Sequence, residues 1–157
     1  MPATLTPHGM YFEDFEPGQT LVTAGRTITE SDVVNFAGLS GDYNQIHTDV
    51  QFSQGTPYGQ RIAHGLLGLS IASGLLMRTG ILEGTVLAFR EVIDWKFIKP
   101  ILLGDTIRDE MEVRETKALP RIGAGSLVIG LQVKNQKDEV VMKGSFSVLV
   151  MNRPPRE

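Results

Sequence analysis

The sequence predicts an α+β domain, one buried helix wrapped by an antiparallel β-sheet, on three observations. Leu66 to Met77 is apolar almost throughout, interrupted only by small residues. The second half changes period, and four long segments there alternate as strands do. The chain is 157 residues long, enough for one domain with a proper core. No repeat, linker or composition break divides it, so 1–157 is read as one unit.

Met1 to Phe15 and Asn152 to Glu157 read as short arms around a core of 10–150. Thr20 to Ile28 alternates loosely and is expected to be the first strand. Thr29 then caps a helix, with Asp32 three residues on in an acidic version of the capping box. Val33, Phe36, Ala37 and Leu39 give that helix an apolar face, and Ser40-Gly41 ends it. From Gly41 to Ile62 the chain reads as irregular, broken by Gly55, Pro57 and Gly59. A loop this long in a compact domain usually carries function. Leu66 to Thr79 is the second helix, closed by Gly80; lacking a polar face, it is expected to be buried all round. Its Gly68, Ser70, Ala72, Ser73 and Gly74 would let a sheet approach the backbone closely. Val86 to Phe97, Asp105 to Lys117, Ser126 to Asn135 and Glu139 to Met151 are the strands. In the third, Leu127, Ile129, Leu131 and Val133 share one face and Val128, Gln132 and Lys134 the other. Lys134 to Glu139 supplies a polar hairpin turn. A helix wrapped in this way is the hot-dog shape.

Composition narrows the function. An apolar fraction of 41% and a mean hydropathy of -0.02 describe a soluble globular chain. The net charge of -3 and scattered basic residues give no case for nucleic acid or an anionic membrane as partner. With no cysteine, disulfides, thiolate nucleophiles and cysteine metal sites are excluded, which fits a cytoplasmic protein. The first fifteen residues show neither a basic leader nor an apolar stretch, so no secretion signal is expected. The longest apolar run is about half of the roughly 20 residues that span a bilayer.

Chemistry concentrates in Gly41-Asp42-Tyr43-Asn44-Gln45-Ile46-His47, which puts a carboxylate, a carboxamide and an imidazole into seven residues. On a tight loop, Asp42 and His47 can converge on one water, and Gly41 and Asn44 tolerate such backbone. A neighbouring carboxylate favours the imidazolium and burial opposes it, so the pair suits proton transfer near neutral pH. Ala63-His64-Gly65-Leu66-Leu67 starts the apolar helix. The first N–H groups of a helix have no internal partner and carry a partial positive charge. Gly65 has no side chain to keep a ligand oxygen from them. An acid/base pair with an oxyanion donor is the equipment for adding water next to a carbonyl.

Leu39 to His47 resembles the signature of the MaoC-like, R-specific enoyl-CoA hydratases (hydratase 2). Ile62-Ala63-His64-Gly65-Leu66-Leu67 matches the start of their central helix. Phe97-Ile98-Lys99-Pro100 and Leu103-Gly104-Asp105-Thr106 resemble a downstream strand–turn segment of theirs. The resemblance implies reversible hydration of an α,β-unsaturated acyl-CoA thioester to the (R)-3-hydroxyacyl-CoA. Asp42 and His47 would hold and activate the water, with either as the base. Asn44 would order the loop or the water, and the Gly65 amide would receive the thioester oxygen. His64, Tyr43, Phe52, Tyr58 and Gly59 are the candidate substrate contacts. Gln45 stands where the family commonly has proline, which bears on loop stiffness and substrate preference. No metal or redox cofactor is expected, coenzyme A being part of the substrate. An exposed sheet edge implies a homodimer, open to further assembly.

Plainer readings stand beside these. Asp42 and Asn44 are ordinary turn residues, Gly65 serves close packing, and His64 is a packing and hydrogen-bonding residue at the helix start. Asp105 is turn chemistry. Arg61, Arg90 and Lys99 read as surface charges, Trp95 and Phe97 as core, and Ser70 as a packing residue. A metal held by Asp42, His47 and His64 has no recognised spacing. The rival activities are a hot-dog acyl-CoA thioesterase and a non-catalytic acyl-CoA-binding partner subunit. The first is disfavoured because Leu66 to Met77 contains no Asp or Glu, and the second by the intact Asp42 and His47.

Overall fold

The computed structural model describes residues 9–155. Six antiparallel strands form the sheet: β1 (Thr20–Val22), β2 (Arg26–Thr27), β3 (Val86–Phe97), β4 (Thr106–Leu119), β5 (Ala124–Lys134) and β6 (Val140–Met151). Their order is β1-β4-β5-β6-β3, with β2 also against β4. Four helices, α1 (Glu30–Ser40), α2 (Gln45–Thr48), α3 (Val50–Gln54) and α4 (Gly65–Arg78), fall between β2 and β3. The α+β expectation holds. Alternation in β5 decides which face meets α4: Leu127, Ile129, Leu131 and Val133 are at most 1% exposed. Gly68 is a point of close approach. A Cβ there would lie 2.8 Å from Ile101 Cδ1 and 3.1 Å from Met142 Cε.

The helix caps are those the residues dictate. Thr29 Oγ1 accepts the Asp32 N–H while the Asp32 carboxylate accepts the Thr29 N–H, a complete capping box. Gly41 ends α1 at φ 79°, a left-handed conformation that glycine adopts without strain.

Several expectations are corrected. The first strand is broken, because Thr23 turns its hydroxyl to accept the Asp109 N–H and so interrupts the pairing with β4. The stretch from Gly41 to Ile62 is not irregular throughout. It holds α2 and α3, capped by the side chains of Asn44 and Asp49, and helices this short show no periodicity in sequence. The described part of the N-terminal arm is packed, not peripheral. The Phe12 ring occupies the place a Gly125 side chain would take, and Phe15 is buried. Leu39 is exposed rather than part of an apolar face.

The largest correction concerns α4 and β3. Leu66 is 61% exposed, and Gly65, Ser70 and Gly74 are exposed along the same helix. At the sheet edge, Leu87, Phe89, Val92 and Phe97 of β3 are exposed too, although Phe97 reads as core in the sequence. One stripe of the central helix and one apolar edge strand are therefore left uncovered by the described residues of a single chain.

Candidate active site

The site lies where the loop after α1 meets the start of α4. Ser40 Oγ accepts the Asp42 N–H and Asp42 Oδ1 accepts the Asn44 N–H, two side chain-to-backbone bonds that fold the loop tightly. Asn44 Oδ1 then accepts the Ile46 N–H, capping α2. That short helix turns His47 inward, where it is 7% exposed. His47 Nδ1 lies 2.7 Å from the Ile62 carbonyl, an atom that only accepts. Nδ1 therefore carries a proton, and Nε2 faces Asp42.

His47 Nε2 and Asp42 Oδ2 are 4.0 Å apart. This is too long for a direct hydrogen bond and suits a single water bonded to both at about 2.8 Å. Asp42 is half exposed and His47 almost buried, so such a water would sit at the boundary between solvent and protein.

His64 packs behind the pair. Its Nε2–H donates to the Asp42 carbonyl at 2.9 Å. Its ring stacks on His47 at a 3.8 Å centroid distance and meets Phe36 edge-on at 4.9 Å. It is 2% exposed. As N-cap of α4 it also leads directly into Gly65, whose N–H has no protein acceptor among the described residues, like those of Leu66 and Leu67. A cleft of about 230 Å³ abuts this helix start, lined by Tyr58, Ala63, Gly65, Phe97, Lys99 and Met142 among others. A Cβ on Gly65 would lie 3.0 Å from the Phe97 ring, so a side chain there would fit only if that ring gave way.

Potential ligand atoms of Asp42, His47 and His64 lie within 4.8 Å of one another. They do not fit a metal ion. Imidazole lone pairs lie in the ring planes, and rings stacked at 25° send them side by side instead of towards one point.

Of the residues singled out from sequence, the fold gathers Asp42, Asn44, His47, His64, Gly65 and Tyr58. Tyr43 and Phe52 are exposed outside the cleft lining, and Gly59 lines a separate groove with Arg61 and Leu103. Arg61 is engaged by Glu30, and Lys99 bonds Glu139 at 2.7 Å, so neither is a free cation at the cleft. Glu30 is correspondingly held below the usual carboxylate range by the Arg61 guanidinium. Asp105 accepts the Leu102 N–H and a Gln136 amide, which is turn chemistry. Phe97 over Gly65 is the feature that sequence reasoning missed, since only the fold brings the end of β3 to the helix start.

Residues 14–136 match the family model described as "MaoC like domain". The chain belongs to the MaoC-like domain family. Protein MaoC of Klebsiella aerogenes is 40% identical over 102 residues, 65% of this chain and 30% of that protein, so the chain spans under a third of its length. The 3-hydroxybutyryl-CoA dehydratase of Methylorubrum extorquens is 36% identical over 141 residues, 90% of this MaoC-like chain and 84% of that one. Among solved structures, the R-hydratase PhaJ1 of Pseudomonas aeruginosa superposes with a TM-score of 0.79 at 27% identity, covering 96% and 97% of the two chains. A Mycobacterium tuberculosis protein described as a double hotdog fold superposes at TM-score 0.81 and 20% identity over 95% of this chain and 46% of its own, which shows the hotdog fold for the present MaoC-like domain.

Proposed function

We propose that this MaoC-like domain is a hydro-lyase that hydrates α,β-unsaturated acyl-CoA thioesters reversibly to (R)-3-hydroxyacyl-CoA. The single observation that carries the reading is the 4.0 Å separation of Asp42 and His47 beside the free N–H groups that open α4. A water between two acceptors donates a hydrogen to each and keeps a lone pair for C3 of the enoyl group. As its oxygen bonds to C3, one member of the pair takes a proton from it. The C2–C3 π electrons move to make an enolate whose oxygen is stabilised at the Gly65 amide. A proton returned from the pair to C2 completes the addition of one water. The reverse sequence is dehydration. Lined largely by apolar residues, the cleft beside Gly65 suits the thioester arm. No metal or redox cofactor is needed for this chemistry. Two relatives, a 3-hydroxybutyryl-CoA dehydratase and an R-hydratase, support it.

The same proposal includes a cytoplasmic homodimer. The uncovered α4 stripe and the apolar edge strand β3 are what a second copy would bury, and an edge strand with a free row of backbone groups invites pairing. No helix among the described residues is long and apolar enough to cross a membrane.

The test is loss of the enoyl thioester absorbance with crotonyl-CoA, and with longer, branched and carboxylated enoyl-CoAs. Wild-type turnover should fall by about 10³ in Asp42→Asn and in His47→Ala, since positioned proton transfer is worth roughly 10²–10⁴. Chiral analysis of the product should give the R isomer. Silence of the wild type across all these substrates, with coenzyme A thioesters still bound, would overturn the reading in favour of a binding subunit.

A further inference from the structure

His64 is poorly explained as a packing residue. Its Nε2 is committed to the Asp42 carbonyl, which accepts only, so Nε2 carries a proton, and in the neutral ring Nδ1 is a bare lone pair. That lone pair is buried with no partner. A phenylalanine of similar size would fill the same space against Phe36 and His47 without burying an unpaired nitrogen. The chain accepts an orphaned polar atom here, and what it gains is one bond and one surface. The bond fixes the peptide plane that follows Asp42, on the loop opened by Gly41. The surface is the ring face against which His47 lies, barring rotation of that imidazole away from its Ile62 bond. Asp42 and His47 thus reach their 4.0 Å separation through contacts with the same buried ring, which is also the last residue before the α4 amides.

We infer that His64 is a positioning residue that sets the gap between Asp42 and His47 and registers both against the start of α4, without touching substrate. The inference rests on the hydratase reading of the site for its kinetic consequence and on the geometry alone for its structural one.

Two variants separate bond from surface. His64→Phe keeps a stacked ring and removes the donor. His64→Gln keeps a donor able to reach the Asp42 carbonyl. The expected result for His64→Phe is a thermal midpoint no lower than that of the wild type, with kcat for enoyl-CoA hydration down about 10- to 100-fold, as misplacement by about an ångström commonly costs. Its KM should change less than about threefold, because the cleft beside Gly65 is intact. His64→Gln should recover at least half of that loss on a logarithmic scale. Amide hydrogen exchange across 42–48 should quicken in His64→Phe and stay near wild type in His64→Gln. Wild-type kcat in His64→Phe, or unchanged exchange across 42–48, would overturn the inference. So would a loss as deep in His64→Gln as in His64→Phe, or one that tracks a fallen thermal midpoint. If wild-type protein hydrates no enoyl-CoA, the hydratase reading fails, and the exchange comparison still decides whether His64 clamps the loop.

Discussion

Asp109 offers the sharpest physical test of the fold. It lies on β4 between Ile107 and Met111, opposite Val133, fully buried. Its backbone is satisfied by Thr23, whose hydroxyl accepts the Asp109 N–H and whose own N–H donates to the Asp109 carbonyl. Both carboxyl oxygens are buried without a partner. Burial pushes this carboxyl up from 3.8 to about 8, so it is protonated at neutral pH in the folded chain. The folded-state value is the higher one, and folding therefore takes up a proton between those two values. The contribution of Asp109 to stability is full below about pH 4, falls as pH rises, and levels off above about pH 8. Each pH unit inside that window costs about 1.4 kcal/mol, and the whole window on the order of 5 kcal/mol. Asp109→Asn is nearly isosteric and does not titrate. Urea unfolding of both proteins at one fixed protein concentration, from about pH 5 to about pH 9, isolates the effect, because every other group is common to the two. With a urea m-value of about 2 kcal/mol/M, the wild-type midpoint should fall by roughly 0.7 M per pH unit more than the variant's below pH 8. Parallel pH dependences would refute the reasoning, for they would mean that Asp109 finds water or a cation in the folded protein.

Two further predictions concern the site. Gly65→Ala sets a methyl 3.0 Å from a half-exposed Phe97 ring that can swing aside, so urea stability should stay within about 1 kcal/mol of wild type. Hydratase turnover should nevertheless drop about 10- to 100-fold because the methyl crowds the first helix amides, short of the 10²–10³ for losing an oxyanion donor outright; undiminished turnover would remove Gly65 from the mechanism. Gln45 is the first residue of α2 after the Asn44 cap, a position whose N–H is unpaired and which favours proline. Gln45→Pro should therefore raise stability by about 0.4–1 kcal/mol with turnover retained, measured by urea midpoint and initial rate. A fall in stability would show that the loop backbone at 45 is incompatible with proline.

How far the sequence was legible follows the range of the interactions. Thr29–Asp32, Gly41 and the alternation of β5 are local signals, and each appears in the fold as expected. The turn, cap and helix start that carry the candidate site at 42–47 and 64–65 were legible for the same reason, since each is written in consecutive residues. What could not be read depends on contacts across the chain. Asp109 falls on the same strand face as Ile107, Met111 and Val113, but only the closing of the core over that face makes it a buried acid. Phe97 looks like core, and only the topology carries the end of β3 to Gly65. The helix Leu66 to Met77 was misread in the instructive direction. Its lack of a polar face predicted burial on all sides, yet one chain leaves Leu66, Ser70 and Gly74 uncovered.

That misreading bears on how the site is organised. A sequence encodes the environment its residues meet in the working assembly, and a stripe of small and apolar residues facing solvent is costly to keep in a lone chain. The uncovered stripe begins at Gly65 and Leu66, directly at the amides proposed to receive the thioester oxygen, and the uncovered strand β3 ends at Phe97, which lies on Gly65. Burial of that stripe by a second copy would exclude water from the same helix start whose N–H groups are proposed to stabilise a developing negative charge, and such donors act more strongly in a dry site. Assembly and catalysis would then be linked through one helix terminus: a charged residue introduced in β3, such as Val92→Lys, should lower turnover in step with the loss of dimer, although Val92 is no part of the Asp42–His47 pair. Turnover per chain that is unchanged in a monomeric Val92→Lys protein would break this link and leave the helix start sufficient by itself.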